Sequence, residues 1–282
     1  MPELPEVETV VRGLRTKILK RTIASVTYRR PNLRFPMPRE LPALAADRTV
    51  TAIERLSKYV LIVLDDGGKI LLHLGMSGRL FFHEEKAYAP GKHDHVIFTF
   101  AGKRGSAPLR LVFNDARRFG VLDYLAPSTN DKQSTHKLLG TLGIDPLSDA
   151  LTPAWLLQVM TGRKTPMKAF LMDQKFIAGL GNIYVCEALF RAKISPKRPA
   201  GQVTAAEAKK LVTAIRAVLG EAIAAGGSSL RDYVQTDGEL GYFQNKFRVY
   251  GREGGPCRVC KNPVARLTQS GRSTFHCPHC QK

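Results

Sequence analysis

Four cysteines stand in the last 26 residues, as Cys257-x2-Cys260 and Cys277-x2-Cys280, with sixteen residues between the pairs. No other feature limits the fold of the chain so tightly. Each C-x2-C forms a knuckle that presents two thiolates to one ion, and four thiolates close a tetrahedral zinc site. A closed site leaves no position for a substrate, so one structural Zn2+ is expected. Residues 264–267 and 273–276 can pair as a hairpin with "QSGR" as its turn, which places Arg272 on a short metal-stapled arm. His276 and His279 are alternative ligands, but four cysteines already suffice. The fifth cysteine, Cys186, lies on an apolar helical stretch and reads as a core residue.

The chain has 282 residues and a formal net charge of +19, from 43 Lys+Arg against 24 Asp+Glu. The length suits two or three domains. The positive excess is spread along the chain rather than held in one tail. Such self-repulsion is most easily tolerated beside a polyanion, which makes nucleic acid the expected partner. No apolar run approaches the roughly 18 residues of a membrane span. The first residues are acidic and have no apolar signal core, so a cytosolic protein with no membrane partner is expected. In that compartment clustered cysteines point to metal rather than disulfides.

Along the chain the periodicity changes twice. Residues 3–21 carry Leu4, Val7, Val11, Leu14 and Ile18 at steps of three and four, one apolar helical stripe. Pro5 sits in the first turn, where its missing N–H does no harm. From about residue 22 to 125 the signals are β. Segments 59–64 and 69–74 flank "DDGG", a hairpin signature, and 96–100, 109–114 and 120–125 read as further strands. Short strands with turns between them suggest a sandwich or barrel. "FAGKRGSAPLRL", residues 100–111, contains a long hairpin turn, and residues 126–135 are a polar linker. Helical patterns follow at 153–161, 166–173, 182–192 and 205–225.

"FIAGLGNIYVCEALF" places Gly179 and Gly181 between two helical stretches. As a dinucleotide fingerprint it fails, because no third glycine is in register and no strand precedes it. A helix–turn–helix fits better, with glycines that allow close approach to a phosphate and Asn182 opening the second helix. No redox or nucleotide cofactor is expected.

Taken together, "MPELPEVETV", "KHDHV", "HLGMSG", "DARRFG", "MDQKFIAGLGNIY" and the terminal C-x2-C pairs closely resemble the bacterial formamidopyrimidine-DNA glycosylase family, in order over essentially the whole chain. The resemblance implies an α+β protein. Residues 2–126 would form an N-terminal helix with a β-sandwich, 136–226 a helical helix-two-turn-helix domain, and 243–282 a zinc ribbon. It implies excision of oxidised purines (8-oxoguanine and formamidopyrimidines) from duplex DNA, followed by strand cleavage, by a monomer in the bacterial cytosol and nucleoid. Pro2, exposed by removal of Met1, would be the nucleophile, since an α-amino group titrates near pH 8 and is partly neutral under physiological conditions. Glu3 would be the acid/base, with Glu6 in support. Lys58 would contact phosphate and donate a proton in β-elimination, and Arg272 would clamp phosphates and assist δ-elimination. His73, His93, Lys164 and Asn182 match DNA-contacting positions. Met76, Arg117 and Phe119 match the residues that fill the gap left by an extruded base. Residues 228–243, with Tyr242, would cover the damaged base.

Two alternatives remain at this level. Endonuclease VIII, a sister branch that prefers oxidised pyrimidines, opens with PEGPE rather than PELPE and usually lacks the Arg and Phe wedge. A non-catalytic zinc-ribbon DNA-binding protein would need neither a free N-terminal proline nor Glu3.

Overall fold

The computed structural model describes residues 2–85, 87–102, 107–127, 136–229, 236 and 241–282. The chain divides into two compact units, residues 1–135 with 225–242, and 136–224 with 243–282.

The first unit begins with helix α1 (Leu4–Ile18). All five residues of the expected stripe are fully buried. The helix ends three residues before the expected boundary. Lys20 takes a left-handed φ of 63°, and its N–H leaves the helix for the carbonyl of Val50 at 2.9 Å. Among the described residues eight strands follow: β1 (Ile23–Tyr28), β2 (Val50–Leu56), β3 (Tyr59–Leu64), β4 (Lys69–His73), β5 (Gly78–His83), β6 (Asp94–Phe100), β7 (Leu109–Asp115) and β8 (Val121–Leu125). A short helix, α2 (Leu41–Ala45), lies between β1 and β2. The strands form two antiparallel sheets, ordered β1-β6-β7-β5 and β2-β3-β4-β8. Alternate residues of both sheets share one core: Val26, Leu80, Phe98, Leu111 and Phe113 from the first, and Ile53, Val60, Ile62, Ile70, Leu72 and Leu122 from the second, with Val7, Val11 and Leu14 of α1. This is the expected sandwich. "DDGG" makes the β3–β4 turn. Gly67 N–H closes on Leu64 and Gly68 N–H bonds Asp66 Oδ1 at 2.9 Å. The middle of the 100–111 turn and most of the 126–135 linker lie outside the described residues.

In the second unit α3 (Pro153–Met160), α4 (Met167–Met172), α5 (Asn182–Ala192) and α6 (Ala205–Ala224) match the expected helices to within a few residues. Ten of the eleven residues of α5 are buried, which makes it the central helix, packed against α4, α6 and the terminal hairpin. That hairpin pairs β9 (Ala265–Gln269) with β10 (Arg272–His276). Its turn is the expected "QSGR", with Ser270 and Gly271 as the two central residues, both at positive φ. The tight turn fits the strand twist and makes Arg272 the first residue of β10, paired with Gln269.

Glu187 on α5 is fully buried. Its carboxylate accepts the backbone N–H groups of Arg248 at 3.0 Å, Val249 at 3.0 Å and Tyr250 at 2.9 Å. It thus anchors the segment leading into the ribbon. Glu187→Ala strands the buried N–H of Val249 and the partly buried ones of Arg248 and Tyr250, so a loss of about 3 kcal/mol is expected in chemical unfolding; a loss below about 1 kcal/mol would mean that water replaces the carboxylate.

Candidate functional site

In the first unit the described chain is built into the fold from Pro2 onward. Pro2 is buried, as are Glu3 and Glu6, at 4% and 3% exposed. Glu3 caps α1, and its backbone N–H donates to Glu6 Oε2 at 2.8 Å. The other oxygen of Glu6 accepts the N–H of Ser228 at 2.8 Å. Glu6 therefore ties down the residue that follows Pro2. The capping-box spacing of Glu3 and Glu6 is legible in "PELPE"; the bond to Ser228, 222 residues away, is not.

Lys58 stands in the two-residue turn between β2 and β3, whose flanking residues Leu56 and Tyr59 pair directly. Ser57 takes a φ of 57° to make this turn. At 8% exposure Lys58 is largely buried, which is unusual for lysine and more than the solvated edge charge of a strand mouth. His73, at the end of β4, lies in its field. Burial, then the charges of Lys58 and Arg34, hold the imidazole well below its usual range, at about 4. His73 Nδ1 accepts the N–H of Gly75 at 3.1 Å and the ring packs against Tyr59 at 4.9 Å. The proton of the neutral ring is therefore on Nε2, which can donate to an anion. Because the folded value lies below that of the unfolded chain, His73 contributes stability that is complete above pH 6.5. It is lost as pH falls towards 4, by at most about 3 kcal/mol. His73→Gln should flatten the dependence of unfolding free energy on pH across that window. An unchanged slope would place the titration elsewhere.

Met76, Arg117 and Phe119 come together on two adjoining turns. Met76 and Phe119 are exposed, at 37% and 43%, and the Arg117 guanidinium lies 5.1 Å from the Phe119 ring centre. Gly75, at φ 62°, permits the contact, because a Cβ there would overlap the backbone carbonyl of Phe119. His93 is half-buried just before β6, and its carbonyl accepts the N–H of Asp115 at 3.0 Å. Tyr242 is 58% exposed, and its N–H bonds Ala225 O at 3.0 Å. Most of the 228–243 segment lies outside the described residues.

In the second unit Gln174 organises the glycine turn. Its amide donates to Met172 O and Leu180 O, both at 2.9 Å, and accepts from Gly179 N–H at 2.8 Å. Gly179 sits at φ 108°. Asn182 opens α5 but turns its side chain inward: Nδ2 donates to Ser273 O at 2.8 Å. Lys168, 1% exposed, reaches the same carbonyl at 3.2 Å and Thr274 Oγ1 at 2.7 Å. Two side chains thus grip the strand directly after the exposed Arg272. Gln174 and Lys168 escape sequence reasoning, because a structural polar residue and a solvated one look alike in a single chain. Lys164 is exposed ahead of α4.

The sulfurs of Cys257, Cys260, Cys277 and Cys280 all lie within 4.8 Å of one another. Cys257–Cys280 measures 4.0 Å and Cys260–Cys277 3.4 Å, close to the ~3.8 Å edge of a tetrahedron with Zn–S bonds of ~2.3 Å. The donor set and its spacing fit zinc. His276 and His279 stand outside this group. Cys186 is buried in the small core beneath the ribbon with Phe190, Val249 and Val264, as expected.

Two sheets with a buried N-terminus, a glycine-turn helical domain and a four-cysteine ribbon define a class of DNA repair glycosylases, and the comparisons agree. Residues 1–122 match the formamidopyrimidine-DNA glycosylase N-terminal domain, residues 142–234 the formamidopyrimidine-DNA glycosylase H2TH domain, and residues 254–282 the zinc finger found in FPG and IleRS. The chain is 53% identical to the formamidopyrimidine-DNA glycosylase of Paracoccus denitrificans over the full length of both. It superposes on the crystal structure of MutM (Fpg) from Thermus thermophilus with a TM-score of 0.85 at 41% identity, over 99% of this chain and 98% of the other. Lactococcus lactis Fpg, solved with DNA containing N7-benzyl-Fapy-dG, gives 0.88 at 31% identity over all of both chains. The chain belongs to the formamidopyrimidine-DNA glycosylase family.

Proposed function

We propose that this chain excises oxidised purines, 8-oxoguanine and formamidopyrimidines, from duplex DNA and then cleaves the strand, with Pro2 as nucleophile. The observation that carries this reading is the burial of Pro2 and Glu3, with Glu6 fixing the backbone between Pro2 and the carboxylate of Glu3. The lone pair of the Pro2 nitrogen attacks C1′, the C1′–base bond breaks with its electrons leaving on the base, and the Pro2 N–H proton passes to the departing base. Glu3 protonates the ring oxygen as the C1′–O bond opens, which leaves an iminium. This cation acidifies the 2′ carbon. Loss of that proton expels the 3′ phosphate, with Lys58 as proton donor, and a second elimination expels the 5′ phosphate, with Arg272 on its oxygens.

Neutral His73, with its Nε2 proton free for an anion, suits a phosphate contact. His93, Lys164 and the α5 N-terminus at Asn182 act on the DNA backbone, where contacts fix register rather than sequence. Met76, Arg117 and Phe119 fill the gap left by the extruded nucleotide. One zinc holds the ribbon, and a monomer in the cytosol suffices, because one chain supplies amine, acid, wedge and clamp.

Denaturing electrophoresis of a duplex with one 8-oxoguanine tests this. Phosphates should remain at both ends of a one-nucleotide gap. Arg272→Ala should accumulate the singly eliminated product at least about tenfold. Base release that leaves an intact abasic strand would refute the lyase step, and excision confined to oxidised pyrimidines would favour the endonuclease VIII specificity.

A further inference from the structure

The three wedge residues sit on two separate turns, after β4 and after β7, yet one buried carboxylate joins both. Asp115, the last residue of β7, is fully buried. Its Oδ1 accepts the hydroxyl of Ser77 at 2.6 Å, and its Oδ2 accepts the N–H of Gly120 at 2.7 Å. Ser77 Oγ in turn accepts the N–H of Arg117 at 3.0 Å. The Asp115 carbonyl is held by the His95 imidazole at 2.9 Å. The three side-chain contacts of Asp115 and Ser77 each fall on or next to a wedge residue: Ser77 follows Met76, Gly120 follows Phe119, and Arg117 is held through its own N–H. Ser77 is 8% exposed and Asp115 fully buried, so the bonds from the carboxylate to Ser77 and Gly120 are shielded from water.

We infer that Asp115 and Ser77 are positioning residues that lock Met76, Arg117 and Phe119 into a single rigid unit, so that base eviction and reading of the partner base depend on them. This rests on the wedge assignment above. The brace is buried, whereas the wedge residues it supports are exposed. A wedge must push on the stack without yielding, and a fully bonded buried network holds two loops in one arrangement far better than surface contacts do. The Arg117 head reaches the orphaned base from a backbone that Ser77 fixes.

The test uses the full-length zinc-loaded protein, its Ser77→Ala, Asp115→Asn and Ser77→Thr variants, and Arg117→Ala as reference. Single-turnover base release is measured with the lesion opposite cytosine and opposite adenine. Borohydride capture is measured on a duplex with a preformed abasic site, which has no base to evict. Ser77→Ala and Asp115→Asn should each slow base release about tenfold and collapse the partner-base ratio to that of Arg117→Ala, with the double variant no worse than either single one. Capture on the abasic duplex should stay within about threefold of the parent, and Ser77→Thr, which keeps the hydroxyl, should restore the ratio. If Arg117→Ala changes the ratio while Ser77→Ala and Asp115→Asn keep it, the brace is wrong and the wedge stands. If Arg117→Ala leaves the ratio unchanged, the wedge assignment fails and the brace with it. Equal losses on both duplexes, or loss of the fold in both brace variants, would make Asp115 a structural residue and overturn the inference.

Discussion

A chain that retains a residue in front of Pro2 is expected to lose base release and strand cleavage by at least about 1,000-fold while still binding lesion DNA. Retained methionine turns the Pro2 nitrogen into a tertiary amide, whose lone pair is delocalised and does not attack C1′. Nothing in the ribbon, the glycine turn or the wedge changes, so gel-shift affinity should stay within a few-fold. Pro2→Gly with the methionine removed is the gentler form of the test. It keeps an amine in the same range of basicity but loses the ring that fixes φ near −65°, so its activity should fall between the two. Full activity in the blocked chain would end the proposed mechanism, whatever the fate of Pro2→Gly.

The second large effect concerns the ribbon. Stripping zinc, or replacing Cys277 by serine, is expected to weaken binding to lesion duplex by about 100-fold and to abolish the final elimination. A four-thiolate site contributes on the order of 10 kcal/mol to the order of a small ribbon, and the hairpin has little else. Its core is Val264, Phe275 and the cysteines themselves, packed on Val249, Tyr250, Cys186 and Phe190. Without the ion the β9–β10 register is lost, and Arg272 has no fixed place. Arg272→Ala separates the two contributions: it should leave zinc content unchanged and block the last step, with a smaller loss of affinity. A zinc-free protein with full affinity would show that the ribbon is not part of the docking surface.

Much of this architecture is legible in one sequence because the strongest signals are periodic or stoichiometric. The stripe of α1, the "DDGG" hairpin and the cysteine spacing each admit few solutions. The strands read least clearly, β1, β2 and β5, carry mixed burial: "IASVTY" buries Ile23 and Val26, three apart, so no clean alternation is visible. The end of α1 is invisible for another reason, since Lys20 leaves the helix to bond Val50, a partner 30 residues away. The candidate residues are legible through the motifs that resemble the family. Their supports are not. Glu6 to Ser228, Glu187 to the 248–250 backbone, Lys168 to Thr274 and Asp115 to Ser77 are all long-range pairings of polar residues. Single-chain reasoning assigns such residues to solvent by default, because buried and solvated polar side chains share one composition.

Covalent capture tests the role of Pro2 as nucleophile most directly. The protein is incubated with a duplex bearing one 8-oxoguanine opposite cytosine, borohydride is added, and the adduct is digested and mapped by mass. One adduct per chain is expected, on the N-terminal peptide, at the nitrogen of Pro2 with Met1 absent. An adduct on a lysine, or none on a duplex whose lesion base is nonetheless released, would contradict that role.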